Sequence, residues 1–394
     1  MPMLNTSPED SMFQIFRDSP LGLYVHVPFC ATTCDFCAFV QSKPDRSKIR
    51  RYLEAVACEW QRECTRLPAP ISTVFWGGGT PGLLSSRDLD SLGRLFLENG
   101  LLDGVQEWTV EMAPATITPK KLETLKALGI TRISMGVQTF SDETLKIMER
   151  YHSVSQVLRA WDWVKDACFQ SANIDMIIAF PGQGEQELLE DLQKAVGLNP
   201  DHISTYCLTF EEDTPLYAKL MQGVYKIDRD KEADLYKSTW AFLEEKGYHQ
   251  YEVSNFAKPG HQSIHNLNTW RMHQWLGIGP SAASQLHGVR TTNCYDFEAW
   301  EKSARESPDY QETITLNPEI LVADALIFGL RTNEGICFDE IRKRFGAQSL
   351  DPWSSLFRQL EAEGLAEFTD STFCLTLEGR LKADAVGVEI LNCQ

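Results

Sequence analysis

The chain has 394 residues, 43% of them hydrophobic, and its 37 basic against 55 acidic side chains leave a formal charge of −18. That length exceeds what one hydrophobic core organises, so a large domain with a smaller companion is expected. The negative field argues against a nucleic-acid partner, and no run of about 18 apolar residues offers an integral membrane segment.

In chain order, residues 1–16 carry neither a basic n-region nor an apolar h-region, so no secretory leader and a cytosolic location are expected. Short β-rich apolar runs then alternate with amphipathic helical stretches. Strands are expected at 21–27, 73–76, 108–112, 132–135, 174–178 and 202–207. Helices are expected at 48–64, 86–97, 119–128, 142–149, 155–168 and 185–196. Six βα units in sequence describe an α/β fold, an open three-quarter barrel around a parallel sheet, with sites at the C-terminal ends of the strands.

Directly after the first strand, Cys30, Cys34 and Cys37 form a C-x3-C-x2-C run with Phe36 before its last member. Three thiolates on a short loop can hold three irons of a [4Fe–4S] cluster and leave the fourth open for chemistry. A zinc site completed by His26 is the other reading on ligand count. The remaining eight cysteines are scattered singly and read as buried thiols of a reducing compartment.

Other distinctive motifs also fall at strand ends. Gly77-Gly78-Gly79-Thr80-Pro81 follows the second strand and allows close backbone approach to a ligand. Glu111 closes the third strand, Gln138 the fourth, and Asp175 lies in the fifth beside Phe180-Pro181-Gly182-Gln183.

The ordered set of Tyr24 to Cys30, GGGTP, Glu111, the segment 134–140, Arg150 with His152, Asn173-Ile174-Asp175, and Tyr251 to Ala257 resembles the oxygen-independent coproporphyrinogen III oxidase family. This is a radical S-adenosylmethionine (SAM) family with an oxidase branch and a heme chaperone branch. The resemblance implies that Cys30, Cys34 and Cys37 ligate a [4Fe–4S] cluster. It also implies that Tyr24, Phe36, Gly78, Gly79, Thr80, Glu111, Gln138, Arg150, Asp175 and Thr209 contact SAM. Carboxylates suit ribose hydroxyls and the methionyl ammonium, and a guanidinium suits the methionyl carboxylate.

Phe39 stands where the oxidase branch has a further cysteine, and only about 20 residues precede the first strand, which favours the chaperone branch. His265-Asn266-Leu267-Asn268-Thr269-Trp270 resembles that branch's HNxxYW motif, with Thr269 in the tyrosine position. Imidazole is a common axial ligand of heme iron, which makes His265 the candidate heme ligand. The partners implied are heme or another tetrapyrrole, an apo-hemoprotein recipient, and an electron donor such as flavodoxin or ferredoxin.

Beyond residue 307, helices at 318–330, 338–345 and 353–363, a hairpin at 366–368 and 373–375, and a last helix at 378–391 suggest a winged-helix-like α+β module. Its acidic side chains give no basic recognition face for DNA. The expected division is an N-terminal extension 1–20, the radical SAM partial barrel 21–215, a barrel extension and tetrapyrrole-binding region 216–307, and the C-terminal module 308–394. Trp270, Trp275, Trp300 and Phe297 are expected to line a flat aromatic cavity. The oxidase alternative converts coproporphyrinogen III to protoporphyrinogen IX by hydrogen abstraction and decarboxylation.

Overall fold

The computed structural model describes residues 19–394 apart from 33, 38, 213, 347–349, 370 and 394, so the extension 1–20 falls outside the described residues save for its last two. The strands are β1 (Leu21–Val27), β2 (Ile71–Gly78), β3 (Glu107–Met112), β4 (Arg132–Gln138), β5 (Ser171–Ile178) and β6 (His202–Cys207). They are followed by β7 (His249–Glu252), β8 (Asn255–Ala257), β9 (Gln274–Ile278), β10 (Ala283–Leu286), β11 (Val289–Asn293) and β12 (Tyr310–Thr315). All twelve form one sheet in the order β12-β11-β10-β9-β1-β2-β3-β4-β5-β6-β8-β7, which ends on two edges and does not close. Strands β1 to β6 run parallel in sequence order, as expected, and β9 adds a further parallel partner on the other side of β1.

Alternation along the strands sets the two faces. Leu23, Val25, Val74, Trp76, Trp108, Val110, Ile133, Met135, Ile174 and Ile203 are fully buried in the core with the surrounding helices. The opposite face carries Tyr24, His26, Thr73, Phe75, Thr109, Glu111, Ser134, Asn173, Asp175 and Ser204, a polar interior that a plain packed barrel would not tolerate.

The helices begin where side-chain caps satisfy free N–H groups. Asp45 accepts from Lys48 N at Arg46–Glu63, and capping boxes open Ser86–Leu97 and Val154–Ala167. The helix expected at 142–149 stops at Ile147. Glu149 turns left-handed (φ 54°) and the Arg150 N–H bonds back to Leu145 O at 2.8 Å, a Schellman-type end that turns the chain back toward the barrel.

Strands β9 to β12 were not among the sequence expectations. They are short, and β11 and β12 are threonine-rich and partly exposed, so their pattern lacks an apolar run.

A second core forms around Leu316, Leu321, Leu326, Trp353, Phe357, Phe373 and Ile390. It joins helices Pro318–Gly329, Phe338–Phe345 and Ser354–Ala362 to a small sheet of β13 (Ile336–Cys337), β14 (Ala366–Thr369) and β15 (Thr372–Leu375), a winged-helix-like α+β arrangement. The last helix is broken, contrary to expectation. Leu377–Arg380 is held against Leu365, where any side chain on Gly379 would strike the Leu365 carbonyl, while Ala383–Asn392 follows the Pro318–Gly329 helix.

The expected aromatic cavity does not form as one unit. Trp300 packs on Tyr52 and Phe297 in the barrel core, whereas Trp270 packs on Phe328 beside the second core. None of the eleven cysteines forms a disulfide, but of the eight outside the triad only Cys294 is buried, and Cys168 is exposed at a left-handed helix end. None of the helices among the described residues is long and apolar enough to cross a membrane.

Candidate cofactor site

The cysteine loop leaves the C-terminal end of β1, a strand held on both sides by parallel neighbours. Two backbone bonds close it, Cys30 N–H to Ser42 O (3.1 Å) and Ser42 N–H to Pro28 O (2.7 Å). Within it Cys37 N–H donates to Cys34 O (3.1 Å). Asp35, buried, ion-pairs with Lys219, and Leu216 N–H donates to Asp35 O, which ties the loop to helix Pro215–Met221. Phe36 joins Met148, Ile177, Leu208 and Leu216 in a small apolar cluster.

The glycine turn abuts this loop. Gly79 N–H donates to Val27 O (3.0 Å) and Thr80 N–H to Phe29 O (2.7 Å), while Thr80 Oγ1 lies 3.8 Å from Cys30 Sγ. A Cβ on Gly79 would sit 2.6 Å from Val27 O. Gly78, at φ +94°, would drive one into the His26 ring at 2.3 Å, so these glycines serve close packing beneath the loop as well as any ligand contact.

Below lie the carboxylates. Glu111 Oε2 accepts from Gly78 N–H (3.2 Å), and burial, then the Asp175 charge, push its pKa up to about 8. Asp175 accepts from Ser134 Oγ (3.0 Å) and Asn173 Nδ2 (2.7 Å), and burial raises its pKa against those bonds. Arg150 reaches in with Nη1 on Cys34 Sγ (3.3 Å) and Nη2 on Gly136 O (3.3 Å), and its buried Nε has no partner among the described residues. Gln138 adopts φ +73° and is half-buried at the end of β4. Tyr24 donates toward His26 Nδ1 (3.1 Å), and burial raises its phenol pKa strongly.

Thr209 stands apart from this group. It is exposed, with Oγ1 on Cys207 O (3.3 Å), and lines a neighbouring cavity. His265 is at the other end of the strands, buried with Nδ1 on Thr73 Oγ1 (3.0 Å) and its ring against Phe75. Burial lowers its pKa to about 4. It forms part of a floor with the Glu107–Arg132 ion pair, whose Glu107 also accepts from Ser263 Oγ and His265 N–H. Ser134, Asn173 and Ser204, which orient Asp175, carried no assigned role in the sequence. The polar period-2 pattern of β5 was the available signal.

The donor set fits a cubane. Among the described residues no three His, Cys, Asp or Glu side chains stand close enough to share one metal ion, whereas a cubane spreads three thiolate-bound irons over separate corners. His26 is not a free zinc ligand, since Nδ1 meets Tyr24 and Nε2 meets Val40 O (3.2 Å). Burial raises the Cys30 thiol pKa to about 11 and also lifts that of Cys37, so iron would displace a proton from each of these two to take them as thiolates. The Arg150 Nε, without a partner among the described residues, and the Glu111 carboxylate, with one backbone donor, leave polar valence that an amino-acid moiety with a ribose could use, beside the oriented Asp175.

Beside this site a cavity of about 1070 Å³ lies between the end of β6, helix Arg229–Glu245 and the segment before the last helix. Tyr206, Tyr217, Tyr236 and Trp240 line it with Arg380 and Lys382. Ion pairs Lys237–Glu378 (2.7 Å) and Arg331–Asp384 (2.7 Å) join its walls.

An open βα barrel with a three-thiol loop at the end of its first strand defines a radical SAM protein. The radical SAM superfamily model matches residues 24–195 and the HemN C-terminal domain model residues 316–381. The heme chaperone HemW of Bacillus subtilis is 31% identical over 374 residues, covering 92% of this chain and 97% of that one; its Lactococcus lactis counterpart is 30% identical, covering 95% and 96%. The mitochondrial radical S-adenosyl methionine domain-containing protein 1 of Danio rerio is 32% identical over 80% of this chain and 73% of its own. The structure of coproporphyrinogen III oxidase (HemN) from Escherichia coli superposes with a TM-score of 0.81 at 24% identity, covering 98% of this chain and 93% of that one, a likeness of fold. The chain belongs to the HemN/HemW family of radical SAM proteins. That membership implies a [4Fe–4S] cluster and SAM.

Proposed function

We propose that this protein is a heme chaperone: it binds heme and passes it to apo-hemoproteins, with the cluster and SAM governing uptake or transfer. The observation that carries this reading is the cavity beside the cofactor site, roomy enough for a tetrapyrrole and lined by aromatic rings together with five basic and five acidic side chains. Rings suit the flat faces of a macrocycle and Arg380 and Lys382 suit its propionates. The printed names of the bacterial relatives support it. In this reading 216–307 extends the barrel toward the tetrapyrrole and 308–394 covers it.

Cys30, Cys34 and Cys37 would hold the cluster, and Arg150, Glu111 and Asp175 would bind the methionyl and ribose groups of SAM, with Tyr24, Phe36, Gly78, Gly79, Thr80 and Gln138 around them. Thr209 faces the tetrapyrrole cavity instead. When bound, the cluster supplies the electron that cleaves the SAM sulfonium. The chain itself excludes water with the Phe36 apolar cluster and presents donors from Arg150 and the glycine turn. His265, packed in the floor, has no part in heme ligation here. Scattered cysteines without disulfides suit a reducing compartment such as the cytosol, where a flavodoxin or ferredoxin would act as reductant.

The test is anaerobic incubation of cluster-loaded protein with coproporphyrinogen III, SAM and reductant, beside a heme titration. A chaperone binds heme and yields no protoporphyrinogen. Formation of protoporphyrinogen would overturn the reading in favour of the oxidase.

A further inference from the structure

The segment Tyr251 to Ala257 and the histidine at the base of β6 are not used by the cofactor site described above, yet they are joined to it by an unbroken chain of buried hydrogen bonds. Ser263 N–H donates to Tyr251 Oη (3.2 Å), and Tyr251 Oη lies 2.8 Å from His202 Nε2. His202 Nδ1 lies 2.6 Å from Asn173 Oδ1, and Asn173 Nδ2 donates to Asp175 Oδ1 (2.7 Å) and Ser134 Oγ (2.7 Å). Ser134 in turn donates to the other Asp175 oxygen (3.0 Å).

The roles along this chain are set by its ends. Asn173 donates to Asp175 through Nδ2 and so turns Oδ1, an acceptor only, to His202 Nδ1, and the neutral imidazole accepts the Tyr251 hydroxyl proton at Nε2 while the Tyr251 oxygen accepts from Ser263 N–H. That leaves the His202 proton on Nδ1, where it donates to Asn173 Oδ1. The Asn173 amide is thereby held with its NH2 toward Asp175. Tyr251, His202 and Asn173 are 8%, 2% and 3% exposed, so no water competes for these bonds.

The outer end is tied to the C-terminal module. Asn333 N–H donates to Tyr251 O (3.0 Å), Val253 N–H to Arg331 O (3.1 Å), and Asn333 Nδ2 to Gln250 O (2.7 Å). Residues 331–333 lie within the matched C-terminal domain, immediately after helix Pro318–Gly329, and Arg331 also lines the cavity.

We propose that Tyr251, His202 and Asn173 form a positioning relay that couples the seating of the C-terminal module at residues 331–333 to the orientation of the Asp175 carboxylate in the SAM site. None of the three touches the cofactor; they act through Asp175. The inference rests on the reading that Asp175 contacts SAM.

The experiment uses whole, cluster-loaded protein and measures SAM binding by anaerobic equilibrium dialysis in the wild type, Tyr251→Phe, His202→Gln and Asp175→Asn. Tyr251→Phe should weaken SAM binding about three- to tenfold with iron content unchanged. His202→Gln, whose amide offers both an acceptor and a donor, should recover part of the loss relative to His202→Phe. The double variant Tyr251→Phe/Asp175→Asn should bind no more weakly than Asp175→Asn alone, because the relay has then lost its target. A purely structural role for Tyr251 would give additive losses. Hydrogen exchange supplies a second readout: SAM should slow exchange at Val253 and Asn333 in the wild type and not in Tyr251→Phe. Unchanged SAM affinity in both Tyr251→Phe and His202→Phe, with Asp175→Asn weakened, would overturn the relay and leave the site reading standing. Unchanged affinity in Asp175→Asn would overturn the site reading and the relay with it.

Discussion

The two ends of the barrel interior are built from the same kinds of side chain and finished differently. At the floor, Glu107 accepts from Arg132, Ser263 and His265, and His265 bonds Thr73, so charge meets charge, with Arg132 Nη1 alone of this group left without a partner among the described residues. At the rim, Glu111 has one backbone donor, the buried Arg150 Nε has no partner among the described residues, and the three thiols are not disulfide-bonded. A buried polar group without a partner costs stability, and at the rim, where Arg150 Nε lies beside the thiol loop and an under-bonded Glu111, a ligand would complete the bonding.

The largest test of this contrast is at the thiols. Cys30→Ala, Cys34→Ala or Cys37→Ala should abolish bound iron and the brown colour after anaerobic reconstitution while far-UV circular dichroism stays that of the wild type. Next, Glu107→Leu leaves Arg132 charged and buried and should cost about 3–5 kcal/mol in denaturant unfolding, with iron per folded molecule unchanged. A comparable loss of iron there would erase the distinction between the two ends.

Glu111 gives a pH test. Its carboxyl is raised in the folded state, so the folded protein holds a proton that the unfolded chain releases. Stability from this group is full below about 4.5 and falls as pH rises toward about 8. The Glu111→Gln apo-protein should show a flatter fall across that window, by roughly 2–4 kcal/mol, in unfolding curves taken at several pH values. The smallest effect is expected at His265→Ala, about 1–3 kcal/mol of stability, with the heme titration unaltered. Weakened heme uptake in that variant would show that the floor opens to ligand.

The rim was the legible part of the sequence, because three thiols in eight residues and carboxylates at strand ends are local signals. Six parallel strands followed from alternation in the same way. The floor was not legible: Glu107 and Arg132 face each other only once β3 and β4 are in register, and the imidazole of His265 has the same chemistry whether it is packed or open. Thr209 was matched by position, but its direction depends on how the chain leaves β6, which no spacing encodes. Strands β11 and β12 escaped notice because antiparallel strands at the sheet margin with half-exposed threonines carry little apolar pattern, whereas β9, buried and parallel to β1, and β10 were missed for their shortness.

Helix Pro215–Met221 touches the thiol loop through Asp35 on one side and contributes Tyr217 and Leu220 to the cavity on the other. Oxygen damage that strips iron and frees the loop would therefore slacken a partition shared by both compartments. On the proposed chaperone reading, tetrapyrrole binding would then fail together with cluster binding, an interlock that needs no separate sensor.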